Sequence, residues 1–434
     1  MSLNTLIPWL SEDEGLQSAL NLASTGGSVV LPQGIWAPYI AGVSAGNAHS
    51  TTVVVCPTGR ESDQLRDQLR TMVPATTAVL DFPAWETLPH ERLSPHPETV
   101  ARRRSALRAL RAVSDGTAEG SLIVVASIRA LVQPVNPALA DVESFVARAG
   151  DTTRTLEEWT AYLVGAAYQR VDLVTRRGEF ALRGGILDVF PPLAEHPVRL
   201  DFFGSEIESL SFFTVADQRS LPEPVGEDAL DPVREMLLTR DVRSRAAELA
   251  QEYPGLIGML TKISEGIPCE GMESLQPLLV DRLVAPSTLF PQDTVVVELS
   301  WQKVAARAES LNHTNKEFLQ AAWEAAATSE GSAPIDLEAG DFLSRDEVRE
   351  LSQPRPWISV DSLDTGSAAI VRPDVHPVVL GAGVDEVWDL IAEKARDGHE
   401  IVCIAGGHGL VERTAHLLGD RDIAHRIEDD GLSP

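Results

Sequence analysis

The sequence predicts an α/β protein: an α/β body interrupted by a small antiparallel β-rich insert and followed by a further small α/β domain. Three observations carry this. The runs TTVVVC (Thr51–Cys56), SLIVVAS (Ser121–Ser127) and TVVVEL (Thr294–Leu299) are apolar or β-branched nearly throughout, as strands covered on both faces are, and helix-like sequence adjoins each. Between them, Tyr168–Leu221 is a succession of short extended segments punctuated by Gly and Pro. The αβ alternation then resumes. Expected boundaries give a first part of the body at 1–152, the insert at 153–240, a second part of the body at 241–355, and a third α/β domain at 356–434. The chain ends at EDDGLSP, inside that third domain, and is read as a fragment.

Composition bounds what such a chain does. With 434 residues, 44% hydrophobic content and a mean hydropathy of −0.04, it has the profile of an ordinary soluble globular protein with more than one core. No apolar run reaches the roughly 18–20 residues that span a bilayer. The N-terminus MSLNTLIPWLSEDE lacks the basic region of a signal peptide. Cys56, Cys269 and Cys403 lie far apart, which implies reduced thiols and a cytoplasmic setting. The net charge of −28, from 36 basic and 64 acidic side chains, repels a phosphate backbone and argues against tight non-specific DNA binding by this chain alone.

In chain order, Thr51–Cys56 is followed by Pro57-Thr58-Gly59 and a helix over 60–69. Val79–Phe82 is a second strand, and a helix over Val100–Val113 precedes the third, Ser121–Ser127. On that helix Val100, Leu107, Leu110 and Val113 form one stripe. Arg102, Arg103, Arg104, Arg108 and Arg111 occupy the rest, as a solvated back or a surface for phosphate or an acidic partner. Gly42-Val-Ser44-Ala-Gly46 matches G-x-S-x-G but follows helical sequence and precedes a strand, the reverse of a nucleophile elbow. Gly26-Gly27 and Gly34 lie where a nucleotide-binding domain carries its phosphate loop. That loop needs a lysine for the β- and γ-phosphates and a hydroxyl for magnesium, yet residues 1–59 hold no Lys or Arg. ATP hydrolysis is therefore not expected.

An amphipathic helix over 153–165 leads into the insert. There Val171–Arg176 is expected as a strand, Arg177-Gly178 as a turn, and Glu179–Phe190 as one longer extended segment stopped by Pro191-Pro192. Val198–Phe203 and Glu206–Phe213 are joined by Gly204-Ser205, glycine first as a type II′ turn prefers. Whether Gly184-Gly185 forms a bulge is left open by the sequence. Arg170, Arg176, Arg177 and Arg183 stand against only Asp172 and Glu179, a local excess of positive charge in an acidic chain. Beyond the insert, residues 241–265 read as helix broken at Pro254-Gly255, and 263–279 as turns. Helices follow at 301–311 and about 314–329, then an acidic loop and a strand at 357–360. The third domain offers a helix at Val384–Ala395, a strand at Ile401–Ile404, the turn Ala405–Gly409 and a helix over Leu410–Leu418 capped by Gly419. His399, His408, His416 and His425 make no zinc spacing.

Three stretches together resemble one family: Phe82–Ser94 (FPAWETLPHERLS) with Pro95-His96, Tyr168–Leu221 with its segment GEFALRGGILDVFPP, and Ser264–Leu279. They are similar to the N-terminal module of the bacterial transcription-repair coupling factor, Mfd, which itself resembles the excision-repair helicase UvrB. The resemblance implies that the body is a degenerate UvrB/RecA-like domain. It also implies that the insert mimics UvrB and binds UvrA through a Y-x-R…RGxFxxRG motif at Tyr168, Arg170, Arg177, Gly178, Phe180, Arg183 and Gly184. Ala181 stands where UvrB has one further arginine. UvrB's lysine-bearing phosphate loop and tyrosine-rich hairpin have no counterpart here, as the Mfd module leads one to expect. By the same resemblance, RNA polymerase, DNA, ATP and magnesium engage other domains of the intact protein, and this chain carries no cofactor. The alternatives are a UvrB-like DNA-dependent ATPase with an atypical nucleotide loop, and DNA binding through the arginine helix at 102–111.

Overall fold

A computed structural model describes residues 3, 7–46, 51–88, 91–328, 341–363, 370–376, 384–404 and 407–427. Pro89-His90 of the WETLPHERLS stretch, most of the expected acidic loop (329–340), Ala405-Gly406 of the glycine turn, and the terminal 428–434 lie outside the described residues.

After three short helices (Ile7–Leu10, Glu14–Leu20 and Leu22–Thr25), the body runs through β1 (Gly27–Val30), α1 (Trp36–Ala45), β2 (Thr51–Cys56), α2 (Gly59–Met72), β3 (Thr77–Phe82), α3 (Pro97–Ser114) and β4 (Ser121–Ser127). The insert follows with β5 (Phe145–Arg148), α4 (Leu156–Gly165), β6 (Gln169–Arg170), β7 (Glu179–Arg183), β8 (Ile186–Val189), β9 (Val198–Phe203), β10 (Glu206–Phe213), β11 (Ser220–Pro224) and β12 (Glu227–Leu230). The helices α5 (Arg240–Glu252) and α6 (Ile257–Ser264) come next. The chain then returns to the body through β13 (Thr294–Leu299), α7 (Trp301–Thr328), α8 (Arg345–Leu351), β14 (Trp357–Asp361) and β15 (Ile370–Val371), and continues to α9 (Val384–Arg396) and α10 (His408–Gly419).

The body sheet has seven strands in the order β15-β1-β14-β13-β2-β4-β3, all pairing parallel. Every residue of β2 and β13 is buried, because helices cover both faces. Tyr39, Ile40 and Leu69 of α1 and α2 meet Val54 and Val297 on one face. Leu107, Leu110 and Val304 meet Val53, Val55 and Val296 on the other. Although β14 and β15 lie beyond residue 355, where a separate third domain is expected, both add to this sheet.

The insert is a six-stranded sheet in the order β11-β10-β9-β8-β7-β6, with α4 on one face. A Thr155–Glu158 capping box starts α4, and Trp159 and Leu163 pack from it onto Phe180, Leu187, Val189, Val198 and Leu200. The strands β5 and β12 pair antiparallel and close the insert at its base.

Several local expectations are corrected. Val171–Arg176 is a loop, because Glu179 Oε2 accepts the amides of Thr175 (2.8 Å) and Arg176 (2.9 Å) and curls it back. The expected segment Glu179–Phe190 is a hairpin, with Arg183 paired to Ile186 across Gly184-Gly185. That is a tight turn with Gly184 at φ +61°, not a bulge. The register of this sheet shifts instead on β10, between Ile207 and Ser209 against β9 and between Ser211 and Phe213 against β11. The residues 301–328 form one helix. Asn312 and Asn315, at the expected junction of two separate helices, donate their amides to Leu343 O and Asp341 Oδ1, both at 3.2 Å, and tie the helix to the following segment. Ile401–Ile404 is not a strand, having no ladder partner among the described residues. Gly419 closes α10, with Asp420 as its cap.

Candidate functional site

Alternation along the insert strands separates two faces. Phe180, Leu182, Leu187, Val189, Val198 and Leu200 point toward α4. The opposite, outer face presents Glu179, Ala181 and Arg183 on β7, Ile186 and Asp188 on β8, Arg199, Asp201 and Phe203 on β9, and Ser209 and Ser211 on β10. At its centre Asp188 is fully buried. It accepts Arg183 Nη2 at 2.6 Å, Arg199 Nε at 2.7 Å and Arg199 Nη2 at 3.0 Å. Arg199 lies with its guanidinium 4.7 Å from the Phe213 ring, and its bond to Asp188 holds its pKa above the usual arginine value against the opposing effect of burial. One end of the face is apolar, formed by Val174, Ala181, Phe190 and Phe213. The Gln218 amide fastens the loop above it by donating to Val174 O at 3.2 Å and Val215 O at 3.0 Å.

The seven residues mapped by resemblance do not form one cluster. Tyr168 is buried. Its hydroxyl donates to Asp231 O at 2.8 Å, and burial raises its pKa well above the normal phenol value. Phe180 is fully buried under α4. Gly178 is buried at φ +85°, with room for a Cβ only at contact with Pro97 and Val233. Arg177 donates to Ala194 O and approaches Glu98 at 3.8 Å, so Arg177-Gly178 forms a joint against the start of α3. Only Arg170, Arg183 and Gly184 are exposed. Arg170 pairs in register with the inward-facing Phe180, whereas Arg183 lies on the outer face, so strand register sets these two arginines on opposite faces. Arg183 has half its side chain exposed even while bonded to Asp188. The sequence reading missed Asp188, Arg199 and Phe203. Their signal is the alternation in ILDV and VRLDFF, which becomes visible once the hairpin partners are known.

The arginines of α3 do not form one phosphate surface: Arg103 and Arg104 are buried, and only Arg108 and Arg111 are exposed. Arg103 is fully buried, ion-paired to Glu235 at 2.6 Å, donating to Pro83 O at 2.9 Å and lying 4.4 Å from the Phe82 ring. Arg104, also buried, pairs with Asp231 and donates to Ser144. Arg102 pairs with Asp81, Arg111 with Asp141, and Arg108 donates to Ser144. Two of the stretches that carry the family resemblance, at Ser94 and at Gly271–Glu273, meet beside this joint, with Arg234 between them. Arg234, leaving the insert, binds Glu273 at 2.6 and 2.8 Å, while Ser94 Oγ donates to Glu273 and accepts the Gly271 amide, both at 2.8 Å. At Gly271, φ is +75° and a Cβ would sit 2.3 Å from the Arg92 carbonyl carbon, so only glycine fits there.

The position of a phosphate loop, between β1 and α1, is taken by Leu31–Ile35 with one turn of 3₁₀ helix. The Trp36 indole N–H donates to Leu31 O at 2.9 Å and closes this loop on itself. Ser44 is buried within α1. Among the described residues no group of three metal-ligating side chains is assembled, and no helix is long and apolar enough to cross a membrane.

A parallel α/β body carrying a helix-backed, mainly antiparallel insert defines a UvrB-like protein. A family model described as the UvrB interaction domain matches residues 148–228, from the end of β5 into β12. The chain is 39% identical over 402 residues to the transcription-repair-coupling factors of Mycobacterium tuberculosis and Mycobacterium bovis, covering 88% of this chain and 32% of theirs. It is 29% identical over 389 residues to that of Myxococcus xanthus, covering 82% and 31%. The chain thus spans about a third of the length of the curated relatives it matches. It belongs with the transcription-repair-coupling factors, as their N-terminal, UvrB-like module.

Proposed function

We propose that this chain is a non-catalytic docking module that recruits UvrA through the outer face of its insert sheet, linking a stalled RNA polymerase to nucleotide excision repair in the cytoplasm. The observation that carries the reading is the coincidence of the UvrB-interaction match with this sheet, whose outer face holds Arg183 half exposed beside the buried Asp188. Arginine on a rigid sheet presents several donors to a carboxylate with little ordering cost, as interface hot spots require. In this reading the closed loop at Leu31–Trp36 leaves the body without ATP turnover. No cofactor is needed, and RNA polymerase, DNA, ATP and magnesium fall to regions of a longer protein outside this sequence. A docking interface of this type buries roughly 1,200–2,000 Å² and rests on a few anchors.

The test is co-elution of the module with UvrA. Arg183→Ala leaves Asp188 its two bonds from Arg199, so the fold should persist while UvrA affinity falls by about tenfold or more. Arg170→Ala, on the other face, measures whether the edge strand also contributes. Full retention of UvrA by Arg183→Ala with an unchanged melting curve would remove that arginine from the interface. Absence of binding by the unaltered module would remove the reading itself.

A further inference from the structure

Resting on that docking reading, we infer that Phe203 is the apolar anchor of the UvrA contact, inserted into an apolar cleft whose rim carries a carboxylate for Arg183. Phe203 is 78% exposed, more than any other large hydrophobic side chain among the described residues. An exposed aromatic ring gains nothing in the free chain, yet this one is held firmly. It pairs with Glu206 across the Gly204-Ser205 turn, where Gly204 takes φ +66°. The neighbouring Phe202 donates its amide to Gly185 O at 2.8 Å and turns its own ring inward, which fixes Phe203 outward by alternation.

The surroundings fit a projecting anchor. Arg183, Ile186 and Asp201 lie side by side across β7, β8 and β9, and Phe203 is the next outward residue along β9. Beside it the Gly184-Gly185 turn provides no side chains, and a Cβ at Gly184 would meet nothing within 4 Å. The ring therefore stands next to an open shelf, with a cation on the shelf's far side. An aromatic ring next to an arginine on ordered backbone is the combination that dominates protein interfaces. The whole arrangement falls inside residues 148–228, the span of the UvrB-interaction match.

The experiment measures UvrA binding to the full 434-residue chain and to Phe203→Ala, Phe203→Leu, Arg183→Ala and Leu363→Ser, with a melting curve and sedimentation for each. Leu363→Ser controls for loss of an exposed apolar side chain elsewhere, being 74% exposed on the body. The expected result is a loss of about 10- to 100-fold for Phe203→Ala. Phe203→Leu should recover part of it, Leu363→Ser should change nothing, and all melting points should stay together. Undiminished binding by Phe203→Ala alongside weakened binding by Arg183→Ala would overturn the inference and leave the docking reading standing. A wild-type chain that fails to bind would overturn both. A self-association that Phe203→Ala abolishes, with UvrA binding unchanged, would assign the ring to contact between copies and also overturn the inference.

Discussion

Asp228 is the side chain whose environment opposes its charge most plainly. It lies on β12 at the base of the insert, and burial raises its pKa to about 6, with Asp231 adding to the shift. One carboxyl oxygen accepts the Ala229 amide at 2.9 Å, while the other is buried without a partner. A carboxyl that holds its proton more tightly when folded stabilises the fold at low pH. Stability is then lost as pH rises from about 4 through about 6, and is flat beyond. Asp228→Asn keeps the acceptor and removes the ionisation. It should raise stability at pH 7.5 by on the order of 2 kcal/mol and by little at pH 4, as urea titrations at the two values will show. An unchanged difference between those pH values would contradict the assignment. Asp231, three residues on, is visible in the sequence EDALDP, but the burial that dominates the shift is not, because it arises only when β12 pairs with β5. By contrast, Arg183 is singled out by its motif, while its outward face and its partner Asp188 both require the hairpin register.

At the scale of elements, α3 joins the insert to the body through ion pairs that water does not reach. The Arg103–Glu235 pair is buried on both sides. Removing one partner leaves a naked charge in the interior, so Glu235→Ala should cost about 3–5 kcal/mol in chemical denaturation. The double variant Arg103→Met with Glu235→Leu should recover most of the loss, since two apolar side chains restore packing without an orphan charge. A double variant no better than the single one would show that the pair itself, not the orphan, sets the stability. This is where sequence reading failed on α3. Helical periodicity placed its arginines off the apolar stripe, and the carboxylates that receive Arg103 and Arg104 lie more than a hundred residues away at Glu235 and Asp231. The body strands were legible for the opposite reason. Their burial on both faces is written into each strand's own composition, as in Thr294–Leu299.

At the scale of the whole molecule, the body sheet is parallel throughout, and the loop after β1 is held by the Trp36 bond to Leu31 O and, by the proposed function, binds no nucleotide. Titration with ATP and magnesium should give no binding at micromolar concentrations, and restoring a lysine at Gly34 alone should not create it, because the indole bond to Leu31 still closes the loop. Micromolar binding by the unaltered chain would reverse this conclusion. The overall charge of −28, with Arg103 and Arg104 buried against Glu235 and Asp231 and Arg102 and Arg111 paired to Asp81 and Asp141, likewise predicts no steeply salt-dependent affinity for duplex DNA at physiological salt, measurable by fluorescence anisotropy.

The joint at Ser94, Arg234, Gly271 and Glu273 has a mechanical meaning. Three distant parts of the chain share one set of hydrogen bonds there, at the segment by which the chain leaves the insert. A load applied to the insert by a bound partner therefore does not hang on a flexible tether. It passes through Arg234 and Glu235 into the Glu273 loop and α3, and from α3 into the β3–β4 edge of the body sheet. The direction in which the outer face points is thus set by the body, and a partner gripping that face would be held at a fixed bearing to it.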